Sequence, residues 1–170
     1  GAATVGWHST QFPPFFVFGA LLSGFASVML LVVPLRRLLG LEDFITGRHF
    51  DILGKLLLTS SLCVGYAYLM EAFTTFYGPD AAEKRLFINK IAGELAPIYW
   101  ATVLFNVLVP QLMWWRRVRL SEMLVLPISL VVIVGMWCER YVIVVMSLRH
   151  THLPSAWGGY TPTIWDWLTL

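Results

Sequence analysis

Four ionisable residues lie inside long apolar stretches of this 170-residue sequence: Lys55, Glu71, Glu139 and Arg140. A charge at the centre of a bilayer costs about 2.5–3.5 kcal/mol on insertion scales, so such residues pair with one another or mark proton paths and ligand sites. Lys55 is predicted near the end of a helix, where its long side chain can reach the interface as a topology anchor. These four side chains are therefore the first candidates for chemistry.

Glu139 and Arg140 are adjacent, and neighbouring residues of a helix point in different directions. We therefore expect Arg140 to approach Glu71 on another helix, and Glu139 to meet another polar group or water. Two interpretations stay open. The charges form a structural ion pair that fixes the register of the helices, or they serve a proton path or a ligand.

The histidines and cysteines argue against several kinds of cofactor site. A haem b held by two histidines needs both imidazoles inside membrane spans, and the predicted spans contain none. A zinc site from His8, His150 and His152 lacks the usual ligand spacing, and Cys63 and Cys138 form no CxxC pair. We expect neither haem nor an iron–sulfur cluster bound by this chain. His8, at the mouth of the first apolar run, can exchange a proton near neutral pH, or it caps the helix entry.

The elements that must position these residues are membrane-spanning helices. Hydrophobic residues make up 58% of the chain, charged residues 13%, and the mean hydropathy is +0.70. These values exclude a soluble globular domain and a disordered chain, and the net charge of +2 argues against nucleic-acid binding. A span needs about 20 apolar residues. We predict an all-α integral membrane protein, a four-transmembrane-helix bundle with helices at about 12–38, 51–77, 95–116 and 122–148, an outer amphipathic loop at 78–94 and a C-terminal outer loop at 149–170.

The lysines and arginines predict the orientation of these helices, since cytoplasmic connections are enriched in basic residues. Seven basic residues flank the two connections on one side, against four on the other: Arg36, Arg37, Arg48, Lys55, Arg116, Arg117 and Arg119 against Lys84, Arg85, Lys90 and Arg149. The larger group is predicted in the cytoplasm and both termini outside. Since the chain begins without Met and ends after an aromatic cluster, we expect a fragment of a larger polytopic subunit.

Three predicted helices carry lines of polar or small residues at helical spacing, which favours the interior of a bundle over lipid. They are Ser60, Val64, Ala67, Glu71 and Thr74; Tyr99, Thr102, Asn106 and Pro110; and Ser129, Val132, Met136 and Arg140.

Several short motifs along the chain together resemble those of one known protein family. They are Gly6-Trp7-His8-Ser9-Thr10, Phe12–Val17, Gly40–Asp43, Arg48-His49, Leu69–Phe73, Tyr99-Trp100-Ala101, Asn106-Val107, Pro110-Gln111, Gly135–Arg140, Leu153-Pro154-Ser155 and Trp165-Asp166-Trp167. With them the sequence resembles the NrfD/polysulfide-reductase-type membrane subunit family. Within that family it is most similar to the ActC-type membrane component of bacterial alternative complex III, over nearly the whole chain.

The resemblance implies a place and a role for the chain. It implies the second four-helix bundle of a subunit with about ten helices, in the bacterial inner (cytoplasmic) membrane. The subunit would belong to a quinol:electron-acceptor oxidoreductase complex of a respiratory or photosynthetic electron-transport chain, with menaquinone as the quinol and no metal of its own. The implied partners are an iron–sulfur subunit on the outer face, a homologous membrane subunit and cytochrome c subunits.

The resemblance also assigns residues. It places His8 and Arg140 at or beside a quinol site near the outer face, and Glu71 and Glu139 in a polar interior that moves protons. Lys55 is added to the predicted proton pathway as a charge within the second apolar run, and not on the resemblance. Two other functions stay open. The chain is a proton-conducting bundle without quinol contact, or it is a structural membrane anchor.

Overall fold

A computed structural model describes residues 12–78, 81–93 and 96–149. Within these ranges the chain is helical and contains no strand. The elements are α1 (Phe12–Leu38), α2 (Gly47–Tyr77), α3 (Ala81–Ala92), α4 (Ala96–Val103), a π-helical turn (Leu104–Leu108), a 3-10 helix (Val109–Trp114), α5 (Arg116–Leu120) and α6 (Glu122–Arg149). The all-α fold predicted from composition is confirmed.

Four helical segments are long and apolar enough to cross a membrane: 13–38, 47–77, 96–114 and 122–144. The chain is therefore a multi-pass membrane protein by length and composition. Many large apolar side chains on its outer surface are exposed, including Leu31, Leu69 and Leu108. Such a surface is suited to contact with lipid or with another membrane subunit, because a large apolar surface exposed to water would cause aggregation.

The four spans pack as a closed bundle. α1 lies against both α2 and α6, and the broken third span closes the bundle between α2 and α6. The face of α1 that points inward repeats every three to four residues, at Leu22, Ala26, Met29 and Val33, all of them buried. This is the apolar stripe that a helix packed on one side requires.

The second helix begins at Gly47, four residues before the predicted start at 51. The backbone N–H of Thr46 donates to Nδ1 of His49 at 3.2 Å, so the side chain of His49 satisfies one donor just ahead of the first turn. Such capping lets a helix extend into polar sequence beyond the apolar run. Hydropathy alone does not detect this contact.

The third span is not one continuous α-helix. Pro110 has no backbone N–H, so the carbonyl of Asn106 loses the donor that an α-helix would give it. The chain widens into the π-helical turn before Pro110 and tightens into the 3-10 helix after it. The hydroxyl of Ser61 on α2 donates to the Asn106 carbonyl at 2.7 Å, and the side-chain amide of Gln111 donates to the Val107 carbonyl at 2.9 Å.

The predicted loop at 78–94 contains the twelve-residue helix α3. Phe87 of this helix is buried and meets Phe76 of α2 edge to face, with ring centroids 5.6 Å apart. The indole N–H of Trp100 donates to the carbonyl of Ile91 at 3.2 Å. α3 is therefore anchored to the bundle at both its middle and its end.

The two ends of the bundle carry different ionic contacts. At one end, here called the Arg119 end, Glu122 accepts hydrogen bonds from Arg36 and Arg37, and the guanidinium of Arg119 caps the carbonyls of Met113 and Trp114. At the opposite end, the Lys90 end, α3 packs against α2 and α4. Which end faces the cytoplasm stays a prediction from the basic residues.

Candidate functional site

A buried carboxylate lies in the half of the bundle nearer the Lys90 end. Glu139 is 4% exposed and lies 17 residues after the start of α6, about 25 Å along the helix at 1.5 Å per residue. The hydroxyl of Tyr68 on α2 donates to Oε1 of Glu139 at 2.5 Å. The polar partner predicted for Glu139 is thus a tyrosine of the neighbouring helix.

Aromatic rings enclose this hydrogen bond. Tyr68 is 8% exposed and meets Phe15 of α1 and Tyr99 of α4 edge to face, with ring centroids 5.4 Å and 6.3 Å away. Edge-to-face packing suits the charge distribution of aromatic rings. Contacts with α1 and α4 therefore fix the orientation of the Tyr68 ring, and its hydroxyl binds Glu139 on α6.

Asn106 brings a carboxamide to the same place. It is fully buried at the centre of the π-helical turn and lies beside the Tyr68 hydroxyl without reaching hydrogen-bond geometry. Its side chain presses against Gly135 of α6, where an added Cβ would collide with Oδ1 of Asn106 and lie 2.7 Å from Cβ of Phe105. Gly135 is one helical turn before Glu139, so the glycine makes room for the carboxamide just beneath the carboxylate.

Several polar atoms of this cluster have no hydrogen-bond partner. They are Oδ1 and Nδ2 of Asn106, Oε2 of Glu139 and Nη1 of Arg140. Buried polar atoms in proteins are almost always satisfied by protein, water or a ligand. The carboxamide of Asn106 offers a donor and an acceptor, and Oε2 of Glu139 offers an acceptor, so these two side chains can bind a hydroxyl group and exchange a proton with it. Nη1 of Arg140 is a further donor on the side of α1.

Glu71 lies closer to the Lys90 end and binds a partner that sequence analysis did not predict. Nζ of Lys90 on α3 lies 2.8 Å from Oε1 of Glu71, and 5.0 Å from the centre of the Tyr99 ring. Tyr99 lies within electrostatic reach of both carboxylates, Glu71 and Glu139. A continuous series of polar and aromatic groups therefore runs from α3 to Glu139.

The predicted approach of Arg140 to Glu71 is wrong. Glu71 is paired with Lys90, and the guanidinium of Arg140 lies over the ring of Phe16, with Cζ 4.0 Å from the ring centre. Gly19 allows this arrangement, since a Cβ there would lie 3.0 Å from an Nη atom of Arg140. The charge of Arg140 is thus directed toward α1, where cation–π contact stabilises it.

Lys55 does not belong to this cluster. It lies 16 residues before Glu71 on α2, about 24 Å away along the helix. Its Nζ binds Oδ2 of Asp51 at 2.6 Å, while Oδ1 of Asp51 accepts from Arg119. Lys55 therefore sits in the ionic network of the Arg119 end, and nothing in its contacts links it to Glu139.

His8 lies outside the described residues, as do His150 and His152. Among the residues that are described, no cluster of three or more histidine, cysteine, aspartate or glutamate side chains has the arrangement of a metal site.

Sequence analysis missed two members of the cluster, Tyr68 and Lys90. On α2 the predicted line is buried at Ser60 and Val64, but it departs from the interior beyond them: Ala67 and Glu71 are only half-buried, and the buried face continues through Tyr68. The buried face of α2 is thus rotated by part of a turn from the predicted one. Composition does not reveal this rotation, because most side chains of α2 are similarly apolar. The line through Asn106 was predicted correctly, since Tyr99, Thr102, Asn106 and Pro110 are all buried. The α6 line is buried at Ser129, Val132 and Met136, but its last member, Arg140, is only half-buried and the neighbouring Glu139 is the buried residue.

Comparison with known proteins assigns this sequence to a family. A comparison with curated proteins gives no match. The family model described as polysulphide reductase, NrfD, matches residues 2–150, which is most of the chain. Members of this family are membrane subunits of quinol-linked oxidoreductase complexes and partner with iron–sulfur subunits. With its four apolar helices and a match of this extent, the chain belongs to the NrfD family.

Proposed function

We propose that this chain is a membrane subunit of a quinol-oxidising complex, and that the cluster around Glu139 takes up protons released from the quinol. Oxidation of a quinol releases two electrons and two protons, so the site needs a base near the ring hydroxyls and a polar route away. The described residues supply the base and the route, and the electron acceptor is expected in a partner subunit.

One observation carries this proposal: a buried carboxylate with one oxygen held by Tyr68 and the other without a partner, next to a buried carboxamide whose two polar atoms make no hydrogen bond of normal geometry. A purely structural role would favour satisfied groups, because each unsatisfied buried polar atom costs about 1–3 kcal/mol. Oε2 of Glu139 is placed to receive a proton, and Asn106 to orient a hydroxyl or a water beside it.

The finer assignments extend this proposal. We assign the quinol to a site near the outer face that involves Arg140 and His8, with menaquinone as substrate. The buried and unpartnered Nη1 of Arg140 supports a ligand oxygen at this position. The complex is of the alternative complex III type in the bacterial inner membrane, with both chain termini outside. Its further partners are an iron–sulfur subunit on the outer face, a homologous membrane subunit and cytochrome c subunits.

Turnover of the intact complex with quinol tests the proposal. Glu139→Gln keeps the shape of the side chain but removes the base, and we expect turnover to fall by about 100-fold, the lower range for loss of a general base. Arg140→Leu is expected to slow quinol oxidation as well. Glu42→Gln, at an exposed position in the α1–α2 connection, is the matched control. Wild-type turnover in both Glu139→Gln and Arg140→Leu would refute the proposal.

A second function is favoured by the continuity from Glu71 to Glu139. A bundle that conducts protons without touching quinol would use the same groups, with Lys90 and Tyr99 between them. In that case Glu71→Gln abolishes the coupling of proton movement to electron transfer while quinol oxidation continues. A structural anchor predicts neither effect, since matched apolar replacements of Glu71, Glu139 and Arg140 would then leave turnover intact.

A further inference from the structure

We infer that α3 is a cover over the Glu139 cluster, and that the ion pair between Lys90 and Glu71 is the contact that controls access of water to Glu139. The role of this access in proton release rests on the proposed function. The cover itself is a property of the packing and can be tested without any quinol.

The exposure of the side chains falls from Glu71 through Lys90 to the aromatic pair and Glu139. The Glu71 side chain is 40% exposed and that of Lys90 16%, whereas Tyr99, Tyr68 and Glu139 are all below one-tenth. Lys90 therefore lies between the exposed surface and the aromatic pair that leads to Glu139. Lys90 lies 5.0 Å from the centre of the Tyr99 ring, and Tyr99 packs against Tyr68, whose hydroxyl binds Glu139.

The other anchors of α3 differ in kind from this ion pair. Phe87 against Phe76 is an apolar contact, and Trp100 binds a backbone carbonyl at the end of α3. Neither contact depends on charge, so both persist when Lys90 is replaced. A change at Lys90 should therefore open the region over Tyr99 without releasing the whole helix from the bundle.

A proton leaving Glu139 toward this end meets one carboxylate among the residues that the structure describes. Glu71 is the next carboxylate, and transfer converts Glu139 from acid to carboxylate and Glu71 from carboxylate to acid, after which Glu71 passes the proton to water. While Lys90 holds Oε1 of Glu71 and covers Tyr99, this route is closed. When Lys90 moves away, water can reach Tyr99 and the route is open.

Labelling of Glu139 by a water-soluble carbodiimide with a small amine, in the purified intact complex, measures the cover directly. We expect slow modification of Glu139 in the wild type and an increase of several-fold in Lys90→Gln, read by peptide mass spectrometry. Lys84→Gln is the matched control, since Lys84 carries the same charge on the same helix, six residues earlier and about 120° around it. It should label as the wild type does.

A charge exchange separates the ion pair from a general loosening of the helix. Lys90→Glu alone should expose Glu139, and adding Glu71→Lys should restore the wild-type rate because the pair is re-formed with reversed signs. Glu71→Gln breaks the pair from the other side and should act like Lys90→Gln, so the test survives if one variant does not assemble. The inference is overturned if Glu139 labels at the wild-type rate in both Lys90→Gln and Glu71→Gln, or if the double exchange stays as reactive as Lys90→Glu.

The result is distinguishable from failure of the proposed function. Labelling rates report access to Glu139 whether or not the complex oxidises quinol, and turnover of Glu139→Gln reports the need for the base whether or not α3 covers it. The same reagent without added amine should also join Lys90 to Glu71 in the wild type, as their 2.8 Å separation requires.

Discussion

At the scale of single residues, the site depends on glycines that leave space for the polar side chains of neighbouring helices. Gly135 leaves space for the carboxamide of Asn106, and Gly19 leaves space for the guanidinium of Arg140. The sequence identified Glu139 and Arg140 because charges inside an apolar run are conspicuous. It did not identify Tyr68, because a tyrosine in such a run is equally typical of a membrane interface.

Gly135→Ala should destabilise the protein. The added methyl group collides with Oδ1 of Asn106 and Cβ of Phe105, and overpacking of this kind costs about 1–3 kcal/mol. The thermal unfolding midpoint of the detergent-solubilised complex measures the effect. Gly24→Ala on α1 is the control, since nothing lies within 4 Å of its added Cβ. Equal midpoints for the two variants would show that Asn106 is not packed against α6.

Tyr68→Phe should slow quinol oxidation by about tenfold or more. The change removes only the hydroxyl that holds Glu139, and a hydrogen bond to a charged group is worth about 1.5–3 kcal/mol, where each 1.36 kcal/mol is tenfold in rate. Tyr66→Phe on the same helix is the control, because Tyr66 is 63% exposed. If both variants turn over like the wild type, the hydroxyl of Tyr68 has no part in proton transfer.

At the scale of elements, the break in the third span places Asn106. Pro110 marks the break in the sequence, and a proline inside an apolar run does predict a distortion. The sequence could not predict the form of that distortion, since it depends on a donor from another helix. Ser61 provides this donor, and the π-helical turn widens the backbone where Asn106 projects toward α6.

Ser61→Ala should destabilise this turn by about 1 kcal/mol, the usual range for hydrogen bonds between membrane helices. The carbonyl of Asn106 then loses the donor that replaces the N–H missing from Pro110. Thr59→Ala is the control, because the Thr59 hydroxyl donates to the Lys55 carbonyl of its own helix. Thermal unfolding of the intact complex compares the two, and a larger loss in Thr59→Ala would contradict this account of the break.

At the scale of the whole molecule, hydropathy was sufficient to predict four spans and an all-α bundle. The thickness of the bilayer sets the length of a membrane span, so spans can be recognised directly from the length of the apolar runs. The pairing of charges was not predictable in the same way. The rotation of each helix about its axis decides which side chains meet, and on helices that are apolar nearly all round the sequence leaves this rotation open. The predicted approach of Arg140 to Glu71 failed for this reason.

The predicted orientation can be tested by labelling single cysteines from either side. In a background with Cys63 and Cys138 replaced by alanine, Arg117→Cys lies in the exposed connection of the Arg119 end and Lys84→Cys on α3. A membrane-impermeant maleimide should label Lys84→Cys in spheroplasts and Arg117→Cys only in inside-out vesicles, since basic connections stay in the cytoplasm. The reverse pattern would invert the bundle and move Glu139 to the inner half of the membrane.

The claim on which this account rests is that Glu139 changes its protonation when quinol is oxidised. Infrared difference spectra of the intact complex, recorded with and without quinol turnover, observe this change at the carboxyl group itself. We expect a carboxylic acid C=O band that shifts in D₂O, is lost in Glu139→Gln and persists in Glu42→Gln. A difference spectrum that is the same in the wild type and in Glu139→Gln would contradict the assignment of Glu139 as the proton acceptor.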